Sequence, residues 1–174
     1  MLTGTHRRIC ALILPLALSA MTGCGPSNPT TGTVNGIPTE NDWRSEPWDL
    51  DVPNAYKHFF GKSREEARML FVENAIYYQE DVMFMPRRCF GYYLHSYIDY
   101  LMSDDARGDS DGASCFFGLV EIRADDISSL EDPDQKRVVE LLSHLGARQG
   151  WYDADEEIYG DFSRKAEHCI NLIQ

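Results

Sequence analysis

Tyr77-Tyr78-Gln79-Glu80-Asp81-Val82-Met83-Phe84-Met85-Pro86-Arg87-Arg88-Cys89-Phe90-Gly91-Tyr92-Tyr93-Leu94 is the stretch whose reading decides the fold. Six of the nine tyrosines fall between Tyr77 and Tyr100. The stretch reads as two helices joined at Pro86, because proline fits the first turn of a helix, where its missing N–H has no partner to lose. Upstream, Ser63-Arg64-Glu65-Glu66 forms a capping box, with the Ser63 hydroxyl facing the Glu66 amide. It predicts a helix from there to about Asp81. Ala67, Leu70, Phe71, Asn74, Ala75 and Tyr78 recur at helical spacing, and Met69, Val72 and Ile76 widen the apolar stripe. A helix apolar on most sides belongs in a core. Downstream of Pro86, Phe90, Leu94, Tyr97 and Leu101 make one face, flanked by Tyr93 and Tyr100, with His95 and Asp99 on the other side.

Working outward, Asn54 to Phe60 predicts a short helix ending at Gly61, a favourable C-terminal cap. Asp109 or Ser110 caps a further helix carrying Ala113, Phe116, Phe117 and Val120 inward. Asp132-Pro133-Asp134-Gln135 starts another, with Val138, Leu141, Leu142 and Leu145 as its stripe. Phe162 to Ile173 completes the set, and Trp151-Tyr152-Asp153 reads as a loop. No run alternates with period two, so no sheet is expected. The expectation is an all-α bundle of about five helices over residues 53–174.

The N-terminus differs in kind. His6-Arg7-Arg8 is a short basic region and Ile9 to Met21 is an apolar run of signal-peptide length, short for a membrane span. Met21-Thr22-Gly23-Cys24 follows. It resembles a bacterial lipobox, with methionine where leucine is usual, which implies residues 1–23 as signal peptide and a lipid on Cys24. The partner so implied is the membrane, reached through that lipid. Gly25, with no aspartate beside the cysteine, resembles the sorting signals of Gram-negative lipoproteins, and that resemblance implies the outer membrane if the cell has one. Residues 24–52 then read as a tether: 25–40 are rich in Gly, Pro, Ser, Thr and Asn, and Trp43 and Trp48 pack as a strap.

Charge narrows the partners. The chain carries 16 basic and 28 acidic side chains, a net charge of −12. Setting aside Arg7 and Arg8 leaves 14 against 28, or −14, from Cys24 onward. That sign repels phosphate, so no nucleic-acid partner is expected and a basic protein partner is. Hydrophobic content of 43% and charged content of 25% suit a globular domain.

Tests for chemistry are mostly negative. Zincin, P-loop, GxSxG and GxGxxG patterns are absent, and no histidine has the Glu-x-x-His spacing of di-iron bundles. The loop Asp104 to Gly112 fails as a calcium loop: with Gly112 at the sixth position, Arg107 and Gly118 stand where carboxylates are needed. Cys89, Cys115 and Cys169 read either as small apolar residues or as a partial disulfide set. No catalytic residue, metal or cofactor is assigned. Adjacent tyrosines on a helix diverge by about 100°, so some rings should reach the surface. Tyr92, Tyr93 and Tyr97, with Arg87, Arg88 and His95, form the candidate binding face. The alternative is a core whose hydroxyls reach backbone carbonyls.

Phe84-Met85-Pro86 followed by Phe90-Gly91-Tyr92-Tyr93-Leu94 resembles the centre of a set of small helical bacterial proteins, some with immunity-protein-like settings. Their centre reads helix, apolar-x-Pro step, then Phe-x-Tyr-Tyr-Leu. His95 stands where such chains often have proline, and Arg88-Cys89 replaces an acidic-small pair. The resemblance implies a helical fold and transfers no catalytic residue. Three functions follow as expectations: a surface-tethered interaction module, an envelope enzyme acting on cell-wall glycan through Glu80 or Asp81, and an immunity-type protein that neutralises a toxin.

Overall fold

The computed structural model describes residues 36–48 and 50–174. The signal peptide and residues 24–35 of the expected tether, Cys24 among them, lie outside the described residues. The fold is all-α, with no strand among the described residues. The helices are α1 (Glu40–Trp43), α2 (Val52–Phe59), α3 (Arg64–Met83), α4 (Arg87–Leu101), α5 (Ser110–Ile122), α6 (Ala124–Ser128), α7 (Asp132–Ala147), α8 (Glu156–Tyr159) and α9 (Phe162–Ile173). α3 packs on α4, α5 and α2, while α9 packs on α7, α5 and α6.

Packing begins before the expected boundary at residue 53. Trp43 is fully buried, edge-on to Tyr56 and 6.2 Å from the Tyr93 ring. Trp48 donates its indole N–H to the Trp43 carbonyl at 2.6 Å. The strap expected from the two tryptophans therefore belongs to the packed domain. Its burial comes from α2 and α4, which local sequence does not reveal.

The helix boundaries follow their caps. Ser63 and Glu66 form the reciprocal capping box that starts α3. The Asp109 side chain accepts from the Gly112 amide and starts α5. Gly61, at φ +77°, follows α2 in the left-handed region that glycine enters without penalty. Pro86 sits one residue earlier than expected, at the N-cap of α4. The step between α3 and α4 is clamped by Arg123, whose Nη1 donates to the carbonyls of Met83 and Met85 at 2.7 and 2.9 Å. Its guanidinium also lies 4.0 Å from the centre of the Phe90 ring. The last carbonyls of α3 thus find a charged donor in place of the helical partners they lack.

One break falls where a continuous helix is expected. Asn74 has φ −162° and ψ 89°, so α3 is two helical halves joined at a kink. The Asn74 side-chain oxygen accepts from the Tyr77 amide at 3.1 Å, the geometry of an N-cap for the second half. Opposite the kink, a Cβ on Gly112 would stand 2.9 Å from the Ala75 Cβ and 2.1 Å from the Asp109 carboxylate. Only glycine lets the start of α5 approach α3 this closely.

Candidate functional site

The residues expected to form a binding face are not gathered on one. Tyr93 is fully buried and its hydroxyl donates to the carbonyls of Phe59 and Lys62 at 2.6 and 3.1 Å. Tyr97 is fully buried, donates to the Gly112 carbonyl and stacks on Phe71 at 4.6 Å. Burial pushes both phenols above their ordinary range. Tyr92 is 6% exposed and lies under the Arg64 guanidinium, 5.1 Å from its ring centre. The aromatic face is therefore corrected to a core, and the physical reason is that buried phenols here reach backbone carbonyls.

Arg87 and Arg88 are exposed, but both are ties within the domain. Arg87 pairs with Asp126 at 2.6 Å and its amide donates to Glu46. Arg88 pairs with Asp42 at 2.8 Å, joining α4 to α1. His95 is fully buried beneath α7, with Nε2 3.0 Å from Asp134 and Nδ1 3.5 Å from Arg137. Arg137 in turn pairs with Asp99. Desolvation, then the nearby Arg64 charge, pull His95 down to about 4. A neutral imidazole that joins two helices is a structural element, and α7, remote in sequence, is what covers it.

The thiols are equally enclosed. Cys89 and Cys169 are buried, Cys115 is partly so, and all three are free. Burial raises all three thiols, Cys169 to about 11, so they stay protonated and poorly nucleophilic near neutral pH. The acidic loop is spent on the fold as well. Asp105 holds Arg68 at 2.7 Å, and Asp109 accepts from the Tyr100 hydroxyl while capping α5.

Two features of α3 remain. The first is a cleft of about 110 Å³ lined by Asp51, Asn54, Tyr77, Glu80, Asp81 and Phe84. Asp81 is 8% exposed and hydrogen-bonded to His58 Nδ1 at 2.7 Å. Burial raises its carboxyl, against the lowering effect of the His58 bond. The Tyr77 and Tyr78 rings each lie 5.6 Å from the imidazole. Glu80 is exposed. The His58–Asp81 pair pins α2 to the end of α3.

The second feature is the outer face of α3. Met69, Val72, Ile76 and Tyr77 are 49, 37, 47 and 50% exposed. The first three were expected to widen the buried stripe. Instead α4, α5 and α2 cover only the opposite side, through Ala67, Phe71, Ala75 and Val82. Glu65, Glu73 and Glu80 are exposed among the apolar side chains. Glu65 meets Arg68 at 3.4 Å, whereas Glu73 and Glu80 form no ion pair among the described residues. The signal that could have found this face was the excess width of the stripe, broader than one side of a packed helix needs.

Among the described residues no helix is long and apolar enough to cross a membrane. No family model matches the chain, and no curated protein and no solved structure matches it.

Proposed function

We propose that the protein is a lipid-anchored interaction module of the bacterial envelope, without catalysis of its own, whose binding surface is the outer face of α3. The observation that carries the reading is that four half-exposed apolar side chains, Met69, Val72, Ile76 and Tyr77, are grouped on one helix, whereas the other exposed large apolar residues are scattered singly over other segments. Apolar side chains grouped on a surface and ringed by charge mark interaction sites. The anchor is supported by the apolar run and by Met21-Thr22-Gly23-Cys24. An immunity-type role is the case in which the partner is a toxin.

The glycan-hydrolysing alternative finds less support. Asp81 is engaged by His58, and a cleft of about 110 Å³ is small beside the several hundred Å³ of ordinary small-molecule sites.

Photo-crosslinking in intact cells tests the proposal. A crosslinker at Val72 or Ile76 should give a discrete protein adduct, and one at the exposed Ile158 should not. Equal adducts from all three positions, or none, would overturn it. For the anchor, a palmitate analogue should label the wild type and not Cys24→Ala; label retained by the variant excludes Cys24 as its site.

A further inference from the structure

We infer that the outer face of α3 docks a basic amphipathic helix of a partner protein. Its apolar side chains would rest on Met69, Val72 and Ile76, and its lysines or arginines would lie among Glu73 and Glu80. The inference rests on the interaction-module reading and names its partner's chemistry.

Spacing supports a helical occupant. Met69 and Val72 stand at i and i+3 on the first half of α3, and Ile76 follows just past the kink at Asn74. Apolar side chains offered on successive short helical segments match the i, i+3 anchors of a second helix laid across them. A peptide that binds by strand addition would need a sheet edge, and the described residues hold no strand.

Charge selects the sign. Glu73 and Glu80 are exposed beside the stripe, and no described cation neutralises them. Arg68 is held by Asp105 and Glu65. The half-exposed Tyr77 ring offers a face to a cation. A second copy of this chain would set these glutamates against their own kind, and an anionic lipid surface would be repelled for the same reason.

The test uses the full-length chain in detergent micelles. The probe is a synthetic helical peptide of about 18 residues, with leucines on one face and lysines beside them. Two controls replace its lysines by glutamate or its leucines by serine. Calorimetry should show binding by the basic peptide that weakens with salt, and none by the glutamate control. The serine control, and the chain variant V72S/I76S, should each lose about tenfold in affinity. Glu73→Lys should also weaken binding, whereas Glu157→Gln on α8 should not. Equal binding by both charge forms, or V72S/I76S binding like the wild type, overturns the inference. So does sedimentation showing a dimer that V72S/I76S abolishes. A dye on Val72→Cys that shifts as if buried when the chain sits in anionic vesicles, with no peptide present, assigns the face to lipid and also overturns it. Cellular crosslinks at Val72 without peptide binding would remove the basic helix and leave the module standing. Peptide binding without crosslinks would do the reverse.

Discussion

α3 and α4 lie side by side and are built from similar residues, yet they are treated oppositely. α4 is enclosed on nearly every side: only Arg87, Arg88 and Asp99 of its 15 residues escape burial. α3 is covered on one side and leaves Met69, Val72, Ile76 and Tyr77 half exposed on the other. Aromatic density therefore marks the centre of this fold, and the half-exposed apolar side chains lie one helix away. The difference comes from neighbours. α1, α6 and α7 pack on α4 in addition to α3, while α3 meets α2, α4 and α5 on its inner side alone.

Substitutions graded by their effect on stability sharpen or break this comparison. The largest is expected at Tyr97, where truncation to alanine empties a fully buried site stacked on Phe71 and removes the bond to Gly112. A loss of about 3–5 kcal/mol should appear in urea denaturation. A loss below about 1 kcal/mol would show that α4 is less enclosed than its burial indicates.

Next comes acid. His95 is neutral in both states above about pH 6.5. Below that the unfolded chain takes up a proton that the folded chain refuses until about pH 4. Stability should therefore fall as pH drops from about 6.5 to about 4, by up to roughly 3 kcal/mol from this group. His95→Gln should flatten that part of the profile relative to wild type. Parallel profiles would mean that α7 does not seal the imidazole.

A smaller loss is expected at the kink. Asn74→Ala removes the cap on the second half of α3 and should cost about 1 kcal/mol in thermal or urea unfolding. A gain in stability would mean that a straight α3 packs equally well. The smallest effect belongs to the outer face. Val72→Ser with Ile76→Ser should change stability by less than about 0.5 kcal/mol while lowering affinity for the basic peptide about tenfold. A large destabilisation would place these residues in the core, as the sequence pattern implied, and would end the comparison.

Much of the fold was legible in the chain because it depends on near neighbours. The Ser63–Glu66 box, the Asp109 cap and the span of α9 are local hydrogen-bonding and periodicity signals, and each stands where the sequence placed it. α1, α6 and α8, of four or five residues, were missed because such short helices carry too few turns to show a period. The candidate site was legible only in part. Tyr92, Tyr93 and Tyr97 drew attention by their number, but a phenol bonded to a distant carbonyl and a phenol facing solvent look alike in sequence.

The sequence by itself determined that the chain is helical, acidic and carries an apolar run at residues 9–21 just before Cys24, since composition and residue spacing are local properties. Tertiary structure alone decided which of two apolar helices is swallowed and which keeps a free face. That choice depends on Phe59, Gly112 and Arg137, residues 30 or more positions from some of the groups they meet or cover, and on close packing that no window of sequence contains.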